Sequence, residues 1–386
     1  MNFITKFIRK LKRQKNVDTF YPEGKKTKGR ALVSYLPIPE PYKKDYVDSH
    51  VIVKESMMLC KVLNDNGYIV DVIRFSNNEF GPKYQYDIVI DHYSNLARLN
   101  DRWKNEPLKF FFWNGSYINF HNNAELSRIA DIEQRKGVKL EPRRQLENPE
   151  FWEESIEISD NIILVGSEQT KSTFPEKYHE KIITLPVMPS TLNYIKQEED
   201  FIPEKSEFLY HFGGGAVHKG LYLALEAFAK NPHLTLNITA NVDAEADFKE
   251  AYRHELFELP NIKYLGYIPT HSGLYKEICS RCFAFVAPSC SEGTSVSVVN
   301  CTQIGMYPIV STNTGIIYPD DAGIYLRTST VEELEEAVNK AYNLSDEELK
   351  NQIKICQEYA FERYKDENFY NELNEFLQKK LEEHRG

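Results

Sequence analysis

Nowhere in the 386 residues does an apolar run approach the roughly 20 consecutive residues that cross a bilayer. No secretory apolar core precedes a small-residue cleavage site either, so a cytosolic location is expected. Cysteine is sparse, and its six residues (Cys60, Cys279, Cys282, Cys290, Cys301, Cys356) are scattered, which argues against a disulfide framework. Cys279 and Cys282 form a C-x-x-C, but no second such pair and no histidine pair completes four zinc ligands. Buried free thiols are the expectation. No carboxylate-rich cluster suggests a Mg²⁺ site, and no short internal period suggests a solenoid.

The length exceeds what one hydrophobic core usually serves, so two domains are expected. Hydrophobic residues at 41% and charged residues at 27% describe an ordinary globular protein. The 24 Tyr and 22 Phe suit cores and sugar-stacking surfaces alike. Charge is divided unevenly. Residues 1–30 carry ten Lys and Arg against Asp18 and Glu23, and this +8 within a chain of −10 leaves −18 on the rest. So acidic a body is a poor nucleic-acid binder. In the basic head, Phe3, Ile4, Phe7, Ile8 and Leu11 recur at helical spacing, as in an interfacial helix on anionic lipid. A solvated tail or a helix packed on the same chain gives the same pattern.

The body alternates strands and helices. Ala31–Leu36, Ile69–Phe75, Tyr86–Ile90, Leu108–Trp113, Asn161–Gly166 and Lys181–Leu185 read as strands, with a helix over His50–Asn66 that stops at Gly67. After a polar stretch containing Pro203, the pattern restarts with Glu207–Phe212, Leu234–Thr239, Ile262–Leu265, Phe283–Ala287 and Pro308–Ser311 as strands. Helices are expected at Leu221–Phe228, Leu274–Cys279, Ser295–Gly305, Val331–Tyr342 and over most of 346–384. Such alternation gives parallel sheets of βαβ units. The expected organisation is a basic segment 1–30, a first domain 31–192, a linker 193–206, a second domain 207–345, and C-terminal helices 346–386.

Two motifs could carry chemistry. In His211-Phe-Gly213-Gly214-Gly215-Ala-Val-His218-Lys219-Gly220, between a strand and a helix, three glycines expose amides and Lys219 stands at the helix start. Amides, helix dipole and ammonium together suit a diphosphate. The loop is neither a Walker loop nor a dinucleotide fingerprint, because His218 precedes the lysine and Gly220 follows it. A plain glycine turn with a surface lysine is the bland alternative. The second motif, Pro288-Ser-Cys-Ser-Glu292-Gly293-Thr294-Ser295, runs from a strand into a helix containing Asn300. Thr294 or Ser295 can cap that helix, leaving amides near the sheet edge where open α/β sheets bind ligands. Glu292 is expected to accept hydrogen bonds from sugar hydroxyls, or else to be an exposed turn acid.

Taken as a set, residues 207–330 resemble the donor domain of retaining GT-B glycosyltransferases of the family 4 type. The resemblance rests on Gly213 and Lys219-Gly220, on Glu292 as the first glutamate of a Glu-x7-Glu motif, and on Gly305 followed by Pro308-Ile-Val-Ser. Ile262-Lys-Tyr-Leu-Gly266-Tyr-Ile268-Pro and Phe285-Val-Ala-Pro288-Ser289 fit between them. Two positions depart from the family. Gly214 stands where the phosphate arginine usually stands, and Asn300 replaces the second glutamate, which binds the nucleotide ribose. The first half is similar in outline to the family's acceptor domain, including Asp160–Ser167. Its stretch Trp113-Asn114 through His121, Asn122, Glu125 and Arg128, followed by Arg135, Arg143 and Arg144, resembles bacterial enzymes of surface-polysaccharide synthesis, lipopolysaccharide among them.

The resemblance implies an α/β GT-B fold: two Rossmann-like, doubly wound parallel-sheet domains with a cleft between them. It implies a metal-independent sugar transfer from a nucleotide-sugar donor to a polysaccharide, lipid-linked or other surface-glycan acceptor, with retention and no cofactor. Glu292, Lys219 and His121 become the catalytic candidates. Gly213, Gly214, Gly215, Lys219, Ile268, Glu292, Thr294, Ser295 and Asn300 become the donor-binding candidates, with Ile268 offering backbone contacts to the base. Asn114, His121 and Arg128 are acceptor-side candidates, although a helix-capping cluster with internal salt bridges explains His121 and Arg128 equally well. Losing charge at positions 214 and 300 also suits a non-catalytic nucleotide-sugar-binding or scaffold protein.

Overall fold

The computed structural model describes residues 17–24, 26–38 and 51–385. The first sheet contains β1 (Asp18–Phe20), β2 (Gly29–Tyr35), β3 (Tyr68–Arg74), β4 (Ile88–Asp91), β5 (Leu108–Trp113), β6 (Asn161–Val165) and β7 (Ile182–Leu185). Their spatial order is β1-β3-β2-β4-β5-β6-β7, parallel throughout except that β1 runs antiparallel to β3. The second sheet contains β8 (Glu204–Phe212), β9 (Thr235–Ala240), β10 (Ile262–Tyr264), β11 (Cys282–Ala287), β12 (Tyr307–Ser311) and β13 (Ile324–Leu326). It is wholly parallel, in the order β10-β9-β8-β11-β12-β13.

Parallel strands covered on both faces have no polar side to show. In β5 all six residues are buried, Phe110 and Phe112 packing into one core and Phe111 and Trp113 into another. Chain order reverses between β2 and β4 in the first sheet and between β8 and β11 in the second. Such switch points open a crevice at the carboxyl ends of the strands, where ligands of open α/β sheets bind.

The polar stretch 193–206 is not a free tether. Lys196 and Phe201 are buried, Lys196 N donates to the Ile304 carbonyl at 2.8 Å, and its ammonium donates to the Cys282 carbonyl. Burial pulls that ammonium down to about 8. The strand expected from Glu207 begins at Glu204, inside this stretch. Its charges hid two anchors that dock the segment on the second domain.

Helix Asp346–Arg363 packs on helix Val296–Ile304 and β12, while helix Asp366–Arg385 returns to helix Val51–Asp65 and β7 of the first domain. Tyr370 OH donates to Asp65 Oδ2 at 2.7 Å, Asn66 Nδ2 to Asn374 Oδ1 at 2.7 Å, and the Phe110 and Phe376 rings meet edge to face. The amphipathic segment 1–16 lies outside the described residues. Among the described residues no helix is long and apolar enough to cross a membrane.

Candidate functional site

The two motifs emerge side by side, because the strands that launch them, β8 and β11, are neighbours across the switch point of the second sheet. Lys219 and Glu292, 73 residues apart, form a direct ion pair with side chains only 11% and 15% exposed. Ser289 Oγ donates to the same Glu292 oxygen at 2.6 Å. Burial pushes the Glu292 carboxyl up, but the Lys219 ammonium and the Ser289 hydroxyl outweigh it and hold the carboxyl below its ordinary range. Burial likewise lowers Lys219, against the upward pull of Glu292. Of the two readings of Glu292, the exposed turn acid is therefore corrected. Glu292 is the counter-ion of the lysine.

The glycine loop differs from the open cradle expected of it. Gly215 N donates to Glu245 Oε1 at 2.8 Å, and Ala216 N donates to both Glu245 oxygens at 3.2 and 3.0 Å. A buried carboxylate from the protein itself sits on two of the amides, and burial raises its pKa. Nothing in the sequence signalled Glu245, since the partners it satisfies lie about thirty residues earlier. Gly213 uses its carbonyl to accept from Asn241 N at 2.9 Å, and Gly214 carries no bond among the described residues. Ser295 occupies the N-cap position of helix Val296–Ile304 without making a side-chain cap, and Thr294 makes none either. First-turn amides of that helix therefore face the switch point uncapped. Ile268 is buried in the loop after β10, its backbone groups unpaired among the described residues. Asn300, expected to meet a ribose, is buried and accepts from Ser190 N at 3.1 Å, holding the segment after β7.

The opposite wall is helix Ile118–Lys136 of the first domain, whose buried residues include His121, Glu125 and Arg128. Arg128 crosses to the second domain and donates to three carbonyls: Val217 at 3.3 Å, His218 at 3.1 Å and Pro288 at 2.6 Å. It clamps the ends of both motif loops. His121 Nε2 sits 2.8 Å from the Arg144 carbonyl, an acceptor only, so this nitrogen carries the proton. Its Nδ1 then accepts from Ser291 Oγ at 3.2 Å, in the Glu292 loop. His218, 4.5 Å from His121 between ring centroids, donates through Nε2 to the Ser291 carbonyl at 2.8 Å. Burial lowers the pKa of both rings, so both are neutral at pH 7. Ser116 Oγ donates to the Glu292 carbonyl at 2.8 Å and Thr170 Oγ1 to the Gly293 carbonyl at 2.6 Å, two interdomain bonds that the motif reading missed.

Asn114 lies at the end of β5 and donates to Tyr35 OH at 2.9 Å and Glu55 Oε2 at 3.2 Å, while Tyr35 OH donates to Glu55 Oε2 at 2.6 Å. Burial raises the Glu55 carboxyl to about 7, against the pull of both hydrogen bonds. A raised folded pKa means that the native state holds a proton which the unfolded state has released. The resulting stabilisation is complete below about pH 4.3 and is lost as the pH rises through the folded value. Between about pH 5 and 7 the protein should lose about 1.4 kcal/mol per pH unit at this group. Glu55→Gln should flatten that slope. Thermal unfolding of both proteins across this range measures it, and parallel profiles would show that Glu55 is ionised throughout.

A cavity of about 340 Å³ lies between the domains, lined by Arg128, Tyr222, Cys290 and Ser329. A larger one of about 440 Å³, lined by Asp71, Tyr84 and Tyr86, lies on the first domain away from the switch-point loops.

Residues 195–363 match the family model described as glycosyl transferases group 1. No curated protein matches the chain by sequence. Among solved structures, the chain is similar to sucrose-phosphate synthase from Thermosynechococcus elongatus, with 13% identity and a TM-score of 0.66 over 92% of this chain and 99% of that one. It is similar to Alr3699/HepE from Anabaena, solved with UDP-glucose, with 11% identity and a TM-score of 0.57 over 91% and 99%. A third similarity is to a point mutant of TarM from S. aureus, solved with fondaparinux, α-GlcNAc-glycerol and UDP. There the identity is 14% and the TM-score 0.51, over 75% of this chain and 54% of that one. These likenesses establish a GT-B fold.

Proposed function

We propose that this chain is a retaining, metal-independent glycosyltransferase that moves a sugar from a nucleotide-sugar donor to a surface-glycan, polysaccharide or lipid-linked acceptor. The observation that carries the reading is the pair Lys219–Glu292 at the switch point of the group 1 domain, beside the uncapped first turn of helix Val296–Ile304. The donor class is extended from HepE, whose structure holds UDP-glucose.

In this reading the bond from the anomeric carbon to the diphosphate oxygen breaks, and a bond to an acceptor hydroxyl oxygen forms on the same face. The hydroxyl proton passes to the departing diphosphate. Negative charge grows on that leaving group, and Lys219 with the helix amides is aimed at it, usually the largest catalytic contribution. When a donor enters, Glu292 exchanges part of its bond to Lys219 for sugar hydroxyls. His121 acts as a positioning residue that fixes Ser291, and with it the Glu292 loop. Residues 1–16 would bring this cytoplasmic enzyme to anionic lipid near a membrane-bound acceptor.

A ligand that binds only the native state raises the unfolding temperature, by about 2.7 kcal/mol in stability at a hundredfold excess over Kd. UDP, GDP, ADP and their sugar conjugates are to be compared in this way. One nucleotide should raise the transition by several degrees, and its sugar conjugate should then release free nucleoside diphosphate in the presence of membrane-extract acceptors. Failure of every nucleotide to stabilise the protein sinks the reading. Stabilisation without transfer or hydrolysis would favour a non-catalytic binder, a second reading supported by the Glu245 carboxylate on the glycine-loop amides.

A further inference from the structure

Arg144 lies in the turn between helices Ile118–Lys136 and Pro149–Ile158, and its backbone is fixed from several sides. Its amide donates to both Glu125 oxygens at 3.0 Å, and its carbonyl accepts from His121 at 2.8 Å. The turn is also tied to the other domain, since Glu141 N donates to Asp247 Oδ2 at 3.0 Å and Arg143 pairs with Asp247 Oδ1 at 2.7 Å. Arg143 thus has a counter-ion. Arg144 is exposed, and its guanidinium makes no hydrogen bond or ion pair among the described residues.

Its position is nonetheless defined. The stem of Arg144 lies across Gly215, so closely that a Cβ on that glycine would stand 2.8 Å from Arg144 Cγ and 3.0 Å from Cδ. Its charge reaches the ion pair beneath, lowering both the Lys219 ammonium and the Glu292 carboxyl. The first domain therefore lays a cation over the glycine loop of the second, beside a lysine. Such a group is left without a counter-ion only where an anion is to arrive, or where water alone covers it. Geometry decides between these. A turn whose amides at Glu141, Arg143, Arg144 and Leu146 are all tied, and which thereby holds one guanidinium against another domain's glycine loop, is more than a solvated arginine needs. Gly214, the adjacent loop residue, supplies no charge of its own.

We propose that Arg144 is a phosphate-binding residue, reaching from the first domain over Gly215 to hold the diphosphate of the donor beside Lys219. The inference rests on the nucleotide-sugar reading above and adds the residue that makes the site bipartite. A guanidinium presents paired N–H donors matched to phosphate oxygens. Because this one belongs to the opposite domain, a bound diphosphate ties the two domains together, and the closed cleft is stabilised by the donor itself.

Calorimetric titration of the full chain with UDP, GDP and ADP tests it. Against whichever nucleotide the wild type binds, Arg144→Ala should weaken affinity about 10- to 100-fold, the value of hydrogen bonds to a charged group. Arg144→Gln keeps the stem over Gly215 and removes the charge, and should show the same loss. Arg144→Lys should recover part of it. The unfolding temperature without ligand should stay unchanged in all three. Placing the charge on the loop instead, in an Arg144→Ala, Gly214→Arg double variant, should restore binding. There is room for this, because a Cβ at Gly214 finds its nearest neighbour, the Asn241 carbonyl, at 3.5 Å. Wild-type affinity in Arg144→Ala, or in Arg144→Gln, overturns the proposal while leaving the transferase reading intact. A wild type that binds none of the three nucleotides removes that reading first, and this one with it.

Discussion

Lys219→Ala is expected to lower turnover by about two to three orders of magnitude, the usual cost of removing one group that stabilises a departing oxyanion. The same substitution has a second consequence. Lys219 and Glu292 are almost wholly enclosed, and removing one partner of a buried pair leaves the other charged and unpaired at a cost of about 3–5 kcal/mol. A loss of activity in Lys219→Ala alone would therefore mix catalysis with misfolding. Adding Glu292→Gln removes the stranded charge, and the double variant should recover most of the lost stability while recovering none of the turnover. Denaturant unfolding and nucleotide release, measured on the same samples, separate the two effects. If the double variant regains turnover together with stability, the lysine serves only the fold, and the catalytic role assigned to it is wrong.

The two sheets were legible because parallel strands covered on both faces must be apolar on both, and β5 and β11 are unbroken apolar runs but for Lys109. Of the three-residue strands, β1 and β13 were missed while β10 was found within Ile262–Leu265, since three residues alone are too few to show a period. Helix Ile118–Lys136 was missed as an element for a more instructive reason. Its buried positions His121, Glu125, Arg128 and Ile132 do recur at helical spacing, but three of the four are polar or charged, and a reading based on apolar periodicity passes over them. Arg128 is buried against loops of the other domain, His121 reaches Ser291 there, and Glu125 holds the turn at Arg143 and Arg144 of its own domain; no local pattern reports a partner ninety residues away. The glycine loop and the Glu292 loop were found as motifs, since glycines and helix starts leave marks in sequence. Their pairing depends on β8 lying beside β11, which is a property of topology. For the same reason nothing in the sequence showed that Glu292 pairs with Lys219 or that Asn300 accepts from Ser190.

Gly293→Ala should have a large effect for a single methyl addition, because this position abuts the backbone of the other domain. A Cβ at this position would stand 2.6 Å from the Asn114 carbonyl and 2.6 Å from the Val165 carbonyl, both backbone atoms of the first domain. Neither can rotate away, as a side chain would. The Gly293 carbonyl is meanwhile held by Thr170 and the Glu292 carbonyl by Ser116, so the loop cannot retreat without breaking interdomain bonds. The methyl group is accommodated by separating the domains at this point. Inserting a methylene into a packed core typically costs about 1–3 kcal/mol, but here the strain is relieved at a boundary between domains, and each domain should stay folded. The reacting groups bear the consequence of the separation. Misplacement by about 1 Å is enough to cost on the order of a hundredfold in rate, and in the proposed reading Lys219 and Glu292 stand on one domain while the acceptor is held by the other. Gly293→Ala should therefore cut turnover by about a hundredfold or more while changing the unfolding transition little. Its radius of gyration in solution scattering with donor present should exceed that of the wild type. Unchanged turnover would mean that the close approach of Gly293 to the first domain is not the arrangement in which transfer takes place.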